Sequence, residues 1–157
     1  MRRKDREVTD FQEIIEIMKK CDVCRLAFND QGFPYVIPLN FGLDVVGDQV
    51  FLYFHSALKG KKLDLIRGDN RATFEMDRGH ELLLFEEEMN CTMSYESVMG
   101  HGTIETVPDE EKYEALKILM RHYHADDFKF NKNMMKATAV LKMTVLDMTG
   151  KRRNKNP

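Results

Sequence analysis

With 157 residues, 43% apolar and 32% charged, the chain can bury one core but is too short for two ordinary domains, so we predict a single domain over residues 1–157. The formal charge of −2 argues against a general nucleic-acid surface, although residues 2–6 and a tail at residues 150–157 are locally basic. Because no apolar run is as long as a membrane span and no apolar segment follows the charged N-terminus, we expect a cytoplasmic protein without anchor or signal peptide.

The three cysteines do not form a disulfide framework and fit a reducing compartment. Cys21 and Cys24 form a Cys-x-x-Cys pair, but the pair follows a predicted helix and enters a strand. The redox form of this motif needs its first thiol at a helix N-terminus. Only Cys91 remains as a further cysteine ligand for zinc. We therefore interpret these cysteines as structural and assign no metal site.

The first helix begins near residue 10, where Thr9 or Asp10 can cap it. Apolar residues then repeat at one-face spacing up to Met18, so this helix should cover a core. Residues 24–28 predict a strand, residues 29–32 a tight turn and residues 33–41 the partner strand of a hairpin. Pro34 and Pro38 remove backbone donors from this partner, which should therefore lie at a sheet edge or a bend.

A loop over residues 42–47 precedes a strand that ends at His55, and residues 61–67 then form a short helix. Residues 71–76 and 95–107 predict the fourth and fifth strands, with an exposed loop at residues 86–88. Gly100 and Gly102 interrupt the fifth strand, which indicates a bend, a bulge or a close neighbour.

An acidic segment after Pro108 opens a second amphipathic helix. Arg121, His122 and His124 lie near its end, where positive charge suits the helix dipole, so these histidines need no metal. Residues 137–148 alternate cleanly and predict a sixth strand. The chain is therefore predicted to be mainly β, a six-stranded antiparallel sheet closed into a small barrel with helices packed outside.

The junction between the third strand and the short helix is built for an anion. Lys59, Lys61 and Lys62 lie in or beside the first turn of that helix, where the macrodipole disfavours cations and a bound phosphate would relieve the conflict. Gly60 allows the backbone to approach closely. The alternative is that these lysines are simply solvated on a surface turn.

Two further features favour an aromatic ligand that carries a phosphate. The segment Pro38-Leu39-Asn40 should present unpaired backbone groups, which a heterocycle or water can satisfy. The glycine-broken fifth strand leaves room for a flat ring. Ser97 and His101 share a polar face of that strand, which is consistent with a ligand site or a subunit interface.

His55 is the candidate catalytic residue, because it precedes the lysine turn and can act as an acid or base near neutral pH. A purely structural histidine is the alternative. Two flanking glycines favour a structural role for His101. The chain has no serine-histidine-acid triad, Walker loop or dinucleotide fingerprint, so hydrolase and nucleoside-triphosphatase functions are disfavoured.

Taken together, these motifs resemble the flavin-binding split barrels related to pyridoxamine 5'-phosphate oxidase, and within them the 5-nitroimidazole resistance proteins. The resemblance spans nearly the whole chain. It is carried by residues 1–7 with the first helix and by residues 21–27, 34–42, 53–57 with 60–64, and 95–102.

The resemblance implies an FMN-binding split barrel that forms a homodimer, with FMN or FAD in two interfacial sites. It places the phosphate near Ser56, Lys61 and Lys62, and the ring along residues 38–40, with His55 beside the cofactor. Ser97 would serve the flavin of the other subunit.

The implied function is a flavin-dependent oxidoreductase that reduces a small acceptor such as a nitroimidazole. A flavin-binding module without turnover, acting as an electron carrier or sensor, is one alternative. A split barrel that holds pyridoxal phosphate or haem is another.

Overall fold

The computed structural model describes residues 3–153, which contain eight strands, four α-helices and a short 3-10 helix at Lys4–Arg6. The strands are β1 (Glu7–Val8), β2 (Cys24–Phe28), β3 (Tyr35–Leu39), β4 (Gly42–Val46), β5 (Gln49–Ala57), β6 (Arg71–Phe85), β7 (Asn90–Thr106) and β8 (Thr138–Arg153). The helices are α1 (Phe11–Lys19), α2 (Lys61–Gly68), α3 (Lys112–His122) and α4 (Lys132–Lys136).

The strands form one antiparallel sheet in the order β3-β2-β6-β7-β8-β5-β4, and β1 pairs with β8. The predicted mainly β, antiparallel class is confirmed. The sheet is not closed, because β3 and β4 end the pairing path and no strand pairing joins them within residues 3–153. The result is a split barrel, with two strands more than the six predicted.

The two strands missed by the sequence reading are β1 and β4, and β4 was predicted as a loop. Its first residue is Gly42, and a Cβ atom there would lie 2.6 Å from the backbone of Leu119 on α3. Glycine is needed at this point so that α3 can pack against the sheet. The glycine that made this segment resemble a loop is therefore required by the close packing of β4 against α3.

The central strands β6 and β7 extend well beyond their predicted limits and pair along most of their length. A register shift between Arg78 and Glu81, with Gly79 at φ +71°, marks a β-bulge. The exposed turn predicted at residues 86–88 is confirmed.

The main core lies between the inner face of the sheet and α1. Asp10 caps α1 by accepting a hydrogen bond from the Glu13 amide at 2.9 Å. The helix buries Ile14, Ile15, Ile17 and Met18. The predicted alternation of β8 is also confirmed, since Ala139, Leu141, Met143 and Val145 are all buried.

A second, smaller apolar cluster lies on the opposite face of β5, beneath α3. It is formed by Tyr53, Val107, Ala115, Leu116 and Val140. This cluster attaches the two later helices to the sheet beside His55.

The cysteine pair is structural, as predicted. Cys21 and Cys24 are free and buried, and the Cys21 thiol donates to the Ile17 carbonyl at 3.3 Å. Burial raises the pKa of Cys21 to about 12 and also raises the pKa of Cys24. Neither thiol is poised to ionise at neutral pH.

The basic tail predicted at residues 150–157 is not a solvated tail over its first part, because residues 150–153 continue β8. Arg152 donates to Glu96 at 2.8 Å and to Glu13 at 2.7 Å, which ties the end of β8 to β7 and α1. Lys155 and Arg2 lie outside the described residues. Within residues 3–153, none of the helices has both the length and the apolar character needed to cross a bilayer.

Candidate functional site

The lysine corner, defined here as residues 59–62, lies where β5 turns into α2. Gly60 precedes the helix with φ +144°, a conformation that other residues rarely adopt. The Gly60 carbonyl accepts from the Leu63 amide at 2.9 Å, but no side chain caps the start of α2. The positive end of this helix therefore has no side-chain acceptor among residues 3–153.

The two lysines that begin α2 have different surroundings. Lys61 is exposed, forms an ion pair with Asp30 at 2.5 Å and lies 5.2 Å above the Tyr35 ring. Lys62 is half-buried and has no hydrogen-bond or ion-pair partner among residues 3–153. Burial lowers the pKa of Lys62, because a desolvated ammonium without a counter-charge favours the neutral form. Lys62 is thus a partly desolvated cation that a bound anion would neutralise.

Ser56 lies four residues before Gly60 on the inner face of β5, which it shares with Leu52 and Phe54. The residue is 8% exposed, and its hydroxyl makes no hydrogen bond to the described part of the chain. The predicted serine therefore lies at the inner margin of the lysine corner, with a hydroxyl available to a ligand.

The strand β3 is an edge strand, as Pro34 and Pro38 predicted, and it pairs only with β2. Pro38 stands opposite Arg25 and is exposed, whereas Leu39 is half-buried. The second edge of β3 keeps its backbone groups free of strand partners. This edge is available to a planar ligand with hydrogen-bonding groups.

Asn40, directly after β3, is held by Tyr123 at the end of α3. The Tyr123 hydroxyl accepts from the Asn40 side-chain amide at 3.2 Å and from the Phe41 amide at 3.1 Å, and it donates to the Asp22 carbonyl at 2.7 Å. One hydroxyl thus fixes the turn between β3 and β4. The sequence carries no local signal for Tyr123, because its partners are distant in the chain.

His122 lies beside Tyr123. The sequence predicted that its positive charge suits the helix dipole at this helix end, and that prediction is wrong. Its Nε2 lies 2.7 Å from the Cys21 carbonyl, which can only accept, so Nε2 carries the proton. Its ring lies 4.2 Å from that of Phe41. Burial lowers the pKa of His122, so the imidazole is neutral and structural.

His55 is exposed and lines a cavity of about 160 Å³ between β5, α3 and α4. The other walls are mostly apolar: Leu116, Leu119, Met120, Phe130, Met134, Met135 and Thr138. His55 makes no hydrogen bond within residues 3–153, so its imidazole can meet a bound molecule. The sequence reading did not predict α4, and it missed these apolar and methionine walls.

Ser97 lies on the outer face of β7, half-buried, paired with Asp77 on β6 and Lys151 on β8. The prediction that Gly100 and Gly102 leave room for a flat ring is wrong. A Cβ at Gly100 would meet the Asp147 carbonyl at 2.2 Å, and one at Gly102 would meet the Thr144 carbonyl at 2.4 Å. These glycines allow close packing instead.

The predicted residues fall into three groups. Lys61 contacts Tyr35 at the start of β3, and Asn40 follows the end of that strand, about 17 Å away at ~3.3 Å per residue. His55 lies in its own cavity, which α3 connects to Asn40 through Leu119, Met120 and Tyr123. Ser97 forms the third group, because its strand partners Asp77 and Lys151 belong to neither of the other two.

The family model of pyridoxamine 5'-phosphate oxidase matches residues 10–152. The chain belongs to this family. A candidate 5-nitroimidazole antibiotic resistance protein of Bacteroides thetaiotaomicron is 34% identical, with 93% of this chain and 86% of that chain covered and a TM-score of 0.81. The predicted family resemblance is therefore confirmed.

More distant solved structures share the fold. The FAD and heme binding protein of Mycobacterium smegmatis has a TM-score of 0.81 at 17% identity, covering 95% of this chain and 74% of that chain. The flavocytochrome Anf3 of Azotobacter vinelandii has a TM-score of 0.81 at 18% identity, covering 98% of this chain and 72% of that chain. At these identities the likeness shows the fold alone. Among curated proteins, none matches the sequence significantly.

Proposed function

We propose that this pyridoxamine 5'-phosphate oxidase family member binds a flavin, FMN or FAD, and reduces a small acceptor such as a nitroimidazole. The observation that carries the proposal is Lys62, a half-buried cation without a counter-ion at the uncapped start of α2. Family membership supports a phosphate-bearing cofactor as the anion that we propose for this position.

The lysine corner fits a phosphate on physical grounds. The free amides at the start of α2 and the Lys62 ammonium both lack acceptors, and a phosphate group satisfies both through charge-assisted hydrogen bonds. The Ser56 hydroxyl can add a further donor. Lys61 can contribute only if it leaves Asp30, so its share of the binding energy is smaller.

The free edge of β3 fits the ring system. A ligand that reached from the lysine corner to the Pro38–Asn40 segment would have to be elongated, because these two anchors lie at opposite ends of β3. A flavin with its phosphate-bearing side chain has this shape. Tyr123 keeps Asn40 in place for the ring.

A bound flavin supplies two-electron hydride transfer. In this arrangement His55 holds or donates a proton beside the acceptor, and the apolar walls of its cavity exclude water. A cavity of about 160 Å³ suits a small ring more than a large ligand. The relative from Bacteroides thetaiotaomicron, named for 5-nitroimidazole resistance, supports an acceptor of this class.

We propose further that two chains form a homodimer in which Ser97 approaches the flavin of the other subunit. The outer face of β7 and β8 carries exposed apolar side chains, among them Met99 at 51% and Leu146 at 69%. Apolar groups on a sheet face suit an interface better than water.

Flavin titration of the purified protein, followed by a turnover assay, tests the proposed function. We expect a yellow complex with FMN or FAD whose reduced form is rapidly oxidised by a nitroimidazole. With excess chemical reductant present to re-reduce the flavin, three two-electron turnovers carry the nitro group to the amine. A protein that binds neither flavin contradicts the proposal, and haem or pyridoxal phosphate would then be tested in the same way. Flavin binding without acceptor reduction would leave an electron carrier or sensor and contradict the enzymatic part.

A further inference from the structure

A second cleft, of about 440 Å³, lies between the start of α3 and α4, outside the lysine corner. Its apolar surface comes from Tyr113, Phe130 and Met135. Its charged groups are Lys112, Lys132, Lys136 and Asp109. We call it the α3–α4 cleft. Its volume lies in the ordinary range for sites that hold a small organic molecule.

The charges of this cleft are unbalanced. Lys112, whose side chain is 8% exposed, pairs with the exposed Asp109 at 2.7 Å. The hydrogen bond from Lys112 lowers the pKa of Asp109, and the charge of Lys136 contributes to the same effect. Lys132 and Lys136 make no ion pair within residues 3–153, so three lysines face one carboxylate. The rim therefore carries two uncompensated positive charges above an apolar floor.

The floor presents aromatic rings to that space. Tyr113 and Phe130 meet edge to face, with ring centroids 6.2 Å apart and an interplanar angle of 87°. Tyr113 is 39% exposed although it belongs to a helix that packs on the sheet. An accessible ring with cations beside it favours a flat aromatic group that carries negative charge.

The α3–α4 cleft adjoins the His55 cavity, because Phe130 and Met135 lie in the walls of both. We propose that this cleft binds a small aromatic anion whose ring packs on Tyr113 and Phe130 and whose phosphate or carboxylate group is bound by Lys132 and Lys136. The proposed anion ligands, Lys132 and Lys136, are not part of the proposed flavin site, so loss of anion binding there would leave the proposed function unaffected.

The test uses 1-naphthyl phosphate as the probe and the flavin-loaded full chain, so that the lysine corner is already occupied. The protein has no tryptophan, so naphthalene fluorescence anisotropy reports binding cleanly. We expect saturable binding that is about tenfold weaker for neutral 1-naphthol, because the charge-assisted bonds are then lost. Inorganic phosphate should compete poorly, since it lacks a ring.

The Lys132→Gln/Lys136→Gln variant should weaken probe binding about tenfold. The matched control is Lys4→Gln/Lys20→Gln, which removes the same charge elsewhere and should leave affinity unchanged. Tyr113→Ala gives a second variant on the ring side, with thermal melting to confirm folding. A change in the NMR chemical shift of the Met135 methyl group on addition of 1-naphthyl phosphate locates the binding site independently. The assignment would be overturned if 1-naphthol bound as tightly as 1-naphthyl phosphate. It would also be overturned if the two double lysine variants lost the same affinity for the probe.

Discussion

At the scale of single residues, Lys61 and Lys62 show how neighbours in sequence can differ in chemistry. The Lys61 ammonium has a carboxylate and an aromatic ring nearby, whereas Lys62 is partly desolvated without a partner. A bound anion therefore stabilises Lys62 more than Lys61, because only Lys62 gains its first counter-charge.

We predict that Lys62→Ala weakens flavin binding about tenfold, the size expected when one charge-assisted hydrogen bond is removed. Lys61→Ala should have a smaller effect, and the two changes together should release most of the flavin with the fold intact. Quenching of flavin fluorescence on titration with protein measures each affinity. Lys59→Ala, in the same corner, is the matched control, and a Lys62 effect no larger than that of Lys59 would refute the phosphate position.

His55 is the second residue to consider at this scale. Its imidazole lines a cavity and has no hydrogen-bond partner within residues 3–153. We predict that His55→Ala keeps its flavin and loses about a hundredfold in acceptor reduction, the lower end of the range for general acid-base catalysis. Stopped-flow oxidation of the reduced protein gives the rate. His124→Asn, a change at an exposed left-handed position that asparagine accepts, serves as control. A wild-type rate for His55→Ala would remove the catalytic role.

At the scale of elements, the two glycines of β7 decide how closely β7 and β8 pack. Gly100 faces the Phe74 ring and the Asp147 carbonyl, and a register shift next to Gly102 leaves Leu146 unpaired on the outer face. The sequence correctly indicated a bulge or a close neighbour at these positions. It could not say which, because the neighbours come from strands far apart in the chain.

We predict that Gly100→Ala destabilises the protein by about 3 kcal/mol, because the added methyl group overlaps backbone and ring atoms that cannot easily move. Urea unfolding followed by circular dichroism measures the change. Gly68→Ala is the control, since a Cβ there meets nothing within 4 Å and the backbone is unstrained. Equal effects of the two substitutions would contradict this account of the strand.

Long elements with a clear hydrophobic period were the most predictable. The first helix, the hairpin and β8 follow from local spacing, and the edge position of β3 follows from its prolines. Two short elements were not predictable. β1 has only two residues and depends on β8, while α4 has five residues and no buried side chain. Neither contains enough residues for a pattern to appear.

At the scale of the whole molecule, His122 couples the end of α3 to the segment between α1 and β2. Burial holds its folded pKa below the ordinary value of about 6.5, so the unfolded chain binds a proton more readily. The direction in which stability changes with pH follows from this difference in pKa. Stability due to neutral His122 is present above pH ~6.5 and is lost as the pH falls through the lower folded pKa.

We predict that the free energy of unfolding falls between neutral pH and about pH 5, and that His122→Gln flattens this slope while lowering stability at neutral pH. The measurement is chemical denaturation at a series of pH values. The other four histidines remain in the variant, so the difference in slope isolates His122. Parallel profiles for the two proteins would show that His122 does not titrate as described.

The proposed dimer is also a property of the whole molecule. We predict that wild-type protein sediments as a dimer and that Leu146→Asp shifts it toward monomer with loss of flavin, because a charge would be buried in the interface. Val46→Asp, at an equally exposed apolar position of the edge strand β4, is the control. A monomer that retains flavin with undiminished affinity would exclude a site completed by the partner.

The sequence alone determined the antiparallel class, the buried cysteine pair, the edge strand and the lysine corner, because each depends on residues close together in the chain. It also carried the motifs of the pyridoxamine 5'-phosphate oxidase family. Only the tertiary structure decided that the barrel is split, that Lys62 rather than Lys61 lacks a counter-ion, and that α3 and α4 enclose His55. These properties depend on contacts between residues tens of positions apart, and local periodicity does not determine which distant groups meet.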